Sequence, residues 1–133
     1  YTRLDDYLAN GTQWNYTPGW SEEHLDGWNA EDLSIADEDG ALRDNFQIRP
    51  QPRRFAGEPS EFSVSESTVT VAWLHEPNRG ETRFFLPSTD WFGTSNPSIS
   101  TVGVEMECTF QGGPQEVHCS GLETGQARLV ISP

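Results

Sequence analysis

The sequence contains no lysine, so all eight of its cations are arginine, set against 21 acidic residues. The resulting net charge of −13 argues against nonspecific binding to nucleic acid or to an anionic membrane surface. No apolar run approaches the roughly 20 residues of a membrane span. Zinc-ligand spacing, a Gly-x-Ser-x-Gly elbow and a phosphate-binding glycine loop are all absent. We therefore expect no nucleic-acid partner, no membrane span, no metal and no cofactor.

At 133 residues the chain is predicted to form a single domain with one core. Apolar residues make up 34% of it and fall in periodic runs, which is typical of a folded chain. We expect an acidic, tryptophan-rich segment, residues 1–54, that packs on or precedes a β core formed by residues 55–133. Arg53-Arg54 at this boundary has the form of a dibasic processing site, although an uncut surface pair is the simpler interpretation.

The last third of the chain carries the clearest strand pattern. Over residues 98–110, apolar side chains alternate with the polar side chains of Glu105, Glu107 and Thr109, which predicts one half-buried antiparallel strand. Residues 111–114, Gln-Gly-Gly-Pro, then supply turn chemistry. The side chains predicted to face inward are those of Val102, Val104, Met106, Cys108 and Phe110.

Other parts of the chain predict short strands and one or two helices. Strand-like runs rich in β-branched and aromatic residues occur at 61–64, 68–73, 82–86 and 126–132. Before them, Ser21 followed by two glutamates has the form of a helix N-terminus, and residues 29–33 repeat it. The predicted fold is mainly β, an antiparallel β-barrel or sandwich with one or two short N-terminal helices.

The cysteine pair and the sequons predict a secreted, extracellular glycoprotein. Cys108 and Cys119 are the only cysteines and lie on neighbouring strand-like runs. A disulfide between them would stabilise the hairpin by about 2–3 kcal/mol, the alternative being two buried free thiols. Asn10 and Asn15 each begin an Asn-x-Thr glycosylation sequon. The chain starts at Tyr1 without a signal peptide, as a mature secreted protein would.

The C-terminal hairpin also carries a family resemblance. It combines Cys108, a Gly-Gly-Pro turn, Val117-His118-Cys119-Ser120-Gly121 and a last strand over residues 127–131. This stretch resembles the end of the Alternaria major-allergen family of small secreted fungal β-barrel proteins. The resemblance implies plant-defence elicitation or virulence and no enzyme activity. Only the Cys108–Cys119 bridge of the family has a counterpart here, which excludes a disulfide-linked dimer and leaves a non-covalent homodimer.

Three residues offer candidate acid–base chemistry, namely His75, Glu76 and His118. With Arg79 or Arg83 to hold an anion, they include the residue types that small secreted ribonucleases use. Their order and spacing differ from that pattern, and a net charge of −13 repels RNA. Surface positions for both histidines are the simpler interpretation.

Acidic residues offer two further candidate sites. Glu105 and Glu107, with Cα atoms about 6.7 Å apart on one strand, have a spacing suited to glycoside hydrolysis. The solvated face of a strand explains them more simply. Residues 37–40, Asp-Glu-Asp-Gly, invite a calcium interpretation, but an EF-hand would place Ile35 and Phe46 at ligand positions. A solvated acidic loop is therefore favoured.

Five tryptophans are many for this length, and exposed tryptophans stack on sugars or anchor interfaces. The positions of Trp20, Trp28 and Trp73 in predicted helices and strands favour the core. Trp91, in a long loop, and Trp14 are the candidates for ligand or partner binding.

From these features we predict a secreted fungal binding protein, an effector or elicitor that acts without catalysis on a host protein or cell-wall glycan. A first alternative is a small secreted hydrolase, ribonuclease- or glycosidase-like, that uses His75, Glu76 and His118. A second alternative is a carbohydrate-binding module that uses Trp91 and Trp14.

Overall fold

The computed structural model describes residues 2–11, 16, 21, 34–44, 46, 48–65, 67–87, 97–111 and 116–133. Several predicted features lie outside these residues: residues 22–33 of the predicted helices, the turn at 112–114, the sequon residue Asn15, and the tryptophans Trp14, Trp20, Trp28 and Trp91. The chain forms two compact units, one of residues 1–10 with 49–133 and one of residues 11–48.

In its described residues, the larger unit has one short α-helix, one 3₁₀ turn and eight strands. Helix α1 spans Thr2–Asp6, and within the described ranges no helix has the length and apolar character needed to cross a bilayer. A 3₁₀ turn, Pro77–Arg79, separates the third and fourth strands. The strands are β1 Gln51–Arg54, β2 Gly57–Val64, β3 Val69–His75, β4 Thr82–Phe85, β5 Ser98–Gly103, β6 Glu107–Gln111, β7 Glu116–Ser120 and β8 Gly125–Ser132.

The strands form two antiparallel sheets of four strands each. Sheet 1 has the order β1-β4-β7-β6, and sheet 2 has the order β2-β3-β8-β5. This arrangement confirms the mainly β prediction and corresponds to the sandwich rather than to the closed barrel. The end of the predicted N-terminal segment forms β1, Gln51–Arg54, which is an edge strand of sheet 1.

Alternating side chains of the inner strands form the core of this unit. Strand β3 reads Val-Thr-Val-Ala-Trp-Leu-His, and every second residue is buried. Trp73 lies at the centre, with its ring 6.2 Å from the rings of both Phe55 and Phe84. Tilted aromatic contacts of this kind contribute about 0.5–1.5 kcal/mol each beyond the buried area. The prediction that Trp73 belongs to the core is confirmed.

At one end of the larger unit, the chain passes four times between the sheets. The connections β1–β2, β3–β4, β5–β6 and β7–β8 all lie there, and we call this region the crossover end. Backbone groups of the crossover end are hydrogen-bonded. The Ala56 amide donates to Thr82 Oγ1 at 2.9 Å, and the Glu76 amide donates to the Ala56 carbonyl at 2.8 Å. The connections are therefore ordered by hydrogen bonds rather than by apolar contact alone.

The prediction of one strand over residues 98–110 is wrong, because the chain changes sheets within it. β5 ends at Gly103, whose φ is +99°, and β6 begins at Glu107 in the other sheet. A Cβ atom at Gly103 would lie 1.9 Å from the Gln126 carbonyl oxygen, so only glycine fits there. Of the five side chains predicted to face inward, Val102 is 64% exposed and Phe110 is 38% exposed. The other three pack against the core.

The predicted disulfide is present. Cys108 on β6 and Cys119 on β7 lie directly opposite each other in sheet 1, with Cα atoms 4.1 Å apart. Cys119 is fully buried, so the bond ties an edge strand to the core.

The smaller unit contains the acidic loop. Ala36 and Leu42 form an isolated antiparallel bridge, and the Asp37 side chain accepts hydrogen bonds from the amides of Asp39 and Ala41 at 3.1 and 2.8 Å. The first carboxylate of the acidic loop considered for calcium therefore stabilises a turn. Among the residues that the structure describes, no group of three His, Cys, Asp or Glu side chains is placed to hold a metal ion.

Candidate functional site

A hydrogen-bonded group of titratable side chains lies on the outer face of sheet 1. It centres on His118 in β7, where Val117 and Cys119 on either side are fully buried. Because neighbouring residues of a strand point to opposite faces, His118 must point away from the core. Register places Arg83 of β4 and Thr109 of β6 directly beside it.

The imidazole of His118 is held from two sides by carboxylates. Its Nδ1 atom lies 3.2 Å from Glu81 Oε2, and its Nε2 atom lies 3.1 Å from Glu116 Oε2. Arg83 Nη2 donates to the same Glu81 oxygen at 3.2 Å. We call these four residues the His118 network. The two carboxylates are therefore separated by an aromatic ring that fills the space between them.

Two arginines and an aromatic ring extend this face toward β1. The Arg53 guanidinium lies over the Phe85 ring at 4.9 Å from its centroid, a cation–π contact. The Nε atom of Arg83 is buried without a hydrogen-bond partner among the described residues. Arg54 lies opposite Arg83 in the register and donates to the Arg79 carbonyl. The face thus presents donors, acceptors and a partly exposed ring side by side.

This geometry suits binding better than hydrolysis. A glycosidase needs two carboxylates with a sugar, and in the inverting case also a water molecule, between them. In the His118 network the imidazole fills that space, Glu81 accepts a hydrogen bond from Arg83, and Glu116 Oε2 lies 3.1 Å from His118 Nε2. Fixed planar donors and acceptors next to an aromatic ring are instead the groups that contact polyhydroxylated ligands.

The residues of the predicted acid–base set are not brought together. His75 is 0% exposed at the end of β3 in sheet 2, whereas His118 faces outward from sheet 1. Trp73 Nε1 donates to His75 Nδ1 at 3.4 Å, and His75 Nε2 donates to the Gly121 carbonyl at 3.1 Å. Glu76 pairs with Arg79 at 3.1 Å on the 3₁₀ turn. His75 is a buried structural residue of the crossover end.

The carboxylate pair proposed for glycoside hydrolysis is also separated. Glu105 lies in the β5–β6 connection, and Glu107 is the first residue of β6; both are exposed. Their shared strand face was the premise of the pairing, and that premise fails because the strand is interrupted. Neither residue has a described hydrogen-bond or ion-pair partner that would orient it.

Other candidate residues have simpler placements. Asn10 is exposed just after α1, as a glycosylated asparagine must be, while Asn15, Trp14 and Trp91 lie outside the described residues. Arg53-Arg54 lies within β1, and the next residues, Phe55 and Ala56, pack against or within the core. Cleavage after Arg54 would require β1 to leave the sheet.

Sequence reasoning missed Glu81 and Glu116, the two carboxylates that define the network. The alternation of His118 with Val117 and Cys119 was visible and marks an outward histidine. The pairing of β4 with β7 was not visible, since these strands are distant in the sequence. Without that pairing, nothing in the sequence connects Glu81 to His118.

No known protein-family profile matches the chain, and a search of curated proteins found no match. Solved structures do match. Sterylglucosidase 1 from Cryptococcus neoformans matches with a TM-score of 0.68 and 18% identity over 97% of this chain and 23% of its own. Endo-glycoceramidase II from Rhodococcus sp. matches with a TM-score of 0.64 and 17% identity over 98% of this chain and 27% of its own.

These matches establish a shared fold, and the chain spans only 23–27% of the length of those two proteins. They also correct the functional prediction. A secreted effector or elicitor that binds without catalysis is the wrong interpretation, because both structural relatives are glycoside hydrolases. Among the stated alternatives, the glycosidase-like one agrees best with the comparisons, although its proposed residues do not form a site.

Proposed function

We propose that this chain is the β-sandwich part of a glycoside hydrolase whose substrate is a sugar attached to a lipid. The observation that supports this proposal is the match of nearly the whole chain, 97–98%, to parts of two such enzymes from different organisms. One is named for glycoceramides and the other for steryl glucosides, so both substrates join a sugar to an apolar aglycone.

The sandwich would contribute support and substrate contact rather than the bond-breaking groups. Glycoside hydrolysis requires an acid and a base or nucleophile, usually two carboxylates facing a cleft. Among the described residues, Glu81 and Glu116 are separated by His118, and Glu105 and Glu107 stand apart in the loop and strand. We therefore assign the catalytic carboxylates to a further part of the enzyme, for which the relatives leave about three quarters of their length.

The outer face of sheet 1 is the surface of this chain best suited to the sugar. The His118 network offers acceptors on Glu81 and Glu116 and donors on Arg83, and Phe85 offers a ring for stacking. A sugar presents hydroxyls at its rim and an apolar ring face, which match these groups. The disulfide and the exposed sequon at Asn10 support secretion, as predicted from the sequence.

Hydrolysis of two glycolipids tests the proposal. The natural full-length polypeptide is incubated with glucosylceramide and with a steryl glucoside in detergent micelles, and sugar release is measured. The 133-residue chain alone serves as the matched control. We expect release by the full-length protein and none by the chain alone. Failure of the full-length protein on both substrates would remove the proposal.

A second arm separates the small-hydrolase alternative. If the chain alone releases sugar, the rate of release is compared between the variants His118→Ala and Thr109→Ala. Thr109→Ala is the control, because Thr109 lies opposite His118 on the outer face of sheet 1. Loss of activity in His118→Ala alone would establish a catalytic role for the network and replace our assignment of catalysis to another part.

A further inference from the structure

Each sheet ends in two edge strands, and the four edges differ in how they are protected. Sheet 1 ends in β1 and β6, and sheet 2 ends in β2 and β5. An edge strand presents unpaired N–H and C=O groups that can pair with another chain. Natural edges are blocked by charges, prolines, bulges or a covering element. An edge that lacks all of these features can therefore accept a partner strand or cause aggregation.

Three of the edges carry such protection. β1 contains Pro52 and Arg54. β2 has a register shift between Pro59 and Glu61, and helix α1 packs against it. β6 carries the charged residue Glu107. These features block pairing with an incoming strand at each of the three edges.

The edge formed by β5 has no such feature. Its sequence, Ser-Ile-Ser-Thr-Val-Gly, contains neither charge nor proline in a chain with 21 acidic residues and nine prolines. Its side chains are exposed except that of Ile99, and Val102 is 64% exposed. In the part of the chain that the structure describes, β8 is the one strand that pairs with it. The outer edge of β5 is thus uncharged and accessible.

Hydrogen bonding to β8 determines which β5 amides point outward. The Val104 amide donates to the Gln126 carbonyl at 2.9 Å, which continues the β5–β8 register of Gly103 with Ala127. In an antiparallel pair, residues alternate between hydrogen-bonded and non-hydrogen-bonded positions. Ser100 therefore bonds to β8, as does every second residue along the strand. The N–H and C=O groups of Ile99 and Thr101 point to the open edge.

We propose that β5 pairs antiparallel with β5 of a second copy of this chain, about a two-fold axis that passes beside Ser100. This register places Ile99 opposite Thr101 of the partner subunit, and each of the two positions directs both backbone groups outward. Four backbone hydrogen bonds result. The two sheets numbered 2 then form one continuous eight-stranded sheet across the dimer.

Side-chain size and charge favour a second copy as the occupant. A two-fold axis brings the side chains at its centre close together, and Ser100 is small enough for that approach. The exposed side chain of Val102 gains a neighbour, Ser98 of the partner subunit, on the outer face of sheet 2. Because β5 is uncharged, two chains of net charge −13 can meet there without placing like charges in contact.

The oligomeric state in solution tests this inference. Sedimentation equilibrium of the natural full-length polypeptide, with the 133-residue chain measured beside it, is expected to show for each an average mass that rises with concentration toward twice that of one chain. Thr101→Pro removes an edge-facing donor without removing a bond to β8, and Thr101→Lys places a charge on the edge. Both variants are expected to remain monomeric. Circular dichroism of each variant checks that the fold is retained.

Thr109→Lys is the matched control, because Thr109 is an exposed threonine on the neighbouring edge strand β6. It adds the same charge to the chain and is expected to leave the dimer intact. A wild-type chain that stays monomeric to about 1 mM, the weak end of specific association, would overturn the inference. A dimer that survives both Thr101 substitutions would also overturn it, whatever the state of Thr109→Lys.

Discussion

His75 and His118, the two histidines among the described residues, occupy opposite kinds of environment. His75, at the crossover end, is fully buried between Trp73 and the Gly121 carbonyl. His118, on the outer face of sheet 1, is held by two half-exposed carboxylates. The same residue type therefore has a structural role in one place and is available for binding in the other. Burial, rather than residue identity or hydrogen bonding, separates the two roles.

The largest expected effect tests whether the crossover end is required for the fold. Gly103→Ala would place a Cβ atom 1.9 Å from the Gln126 carbonyl oxygen at a φ of +99°. We expect a loss of about 3–5 kcal/mol in the free energy of unfolding, measured by urea titration. Gly80→Ala, also at positive φ, is the control, because its Cβ would meet only the flexible Arg54 side chain. An equal loss in both variants would show that conformation alone, not the close approach, is responsible.

The next effect tests the structural role of the buried histidine. His75→Ala leaves a cavity and removes the hydrogen-bond partner of the buried Trp73 indole. We expect destabilisation of about 3 kcal/mol in urea unfolding. His75→Gln keeps a donor and an acceptor and is expected to recover part of this loss. A stable His75→Ala variant would contradict the assignment of this residue to structure.

A smaller effect is expected for the disulfide that anchors β6 beside the outer face. The double variant Cys108→Ser with Cys119→Ser should lower the free energy of unfolding by about 2–3 kcal/mol, because the bond closes a short loop. Thermal unfolding with and without reductant checks this expectation. If reductant also lowers the stability of the double variant, the effect of reductant on the wild type cannot be assigned to this bond.

The smallest expected effect tests whether His118, on the outer face of sheet 1, contributes to stability. His118→Ala removes a side chain that is 18% exposed on the outer face of sheet 1 and leaves two half-exposed carboxylates solvated, so we expect a loss of about 1 kcal/mol in the free energy of unfolding, less than for His75→Ala. Urea unfolding beside His75→Ala gives the direct contrast. A loss as large as that of His75→Ala would show that the His118 network stabilises the fold, and its assignment to substrate contact would then lose its support.

The local pattern predicted several parts of the fold. Alternation identified β3 and β8 and the inward position of Trp73, and the spacing of the cysteines identified the disulfide. The same alternation failed over residues 98–110, because a period of two continues smoothly through a segment that changes sheets. Gly103 was the signal at that point, but a single glycine within a strand pattern also fits a bulge or a close approach.

The candidate site was much less predictable than the core. His118 was grouped with Arg83 from the sequence, and the structure brings these two together. The predicted set also included His75 and Glu76, however, and it left out Glu81 and Glu116. The arrangement depends on the β4–β7 register, which brings together residues 35 positions apart. His75 was grouped with His118 because both are histidines, and nothing local to the sequence showed that the first would be buried.

The mainly β content, the disulfide and the buried position of Trp73 could be predicted from the sequence alone, because they follow from periodicity and short-range spacing. Tertiary structure decided which sheet each strand joins, where the chain crosses between sheets and which edge remains open. Those outcomes depend on pairing between strands that are distant along the chain. The same pairing places His75 in the core and His118 on the outer face of sheet 1. The bond between Cys108 and Cys119 is as the sequence predicts. The His118 network beside it forms only because β4 pairs with β7.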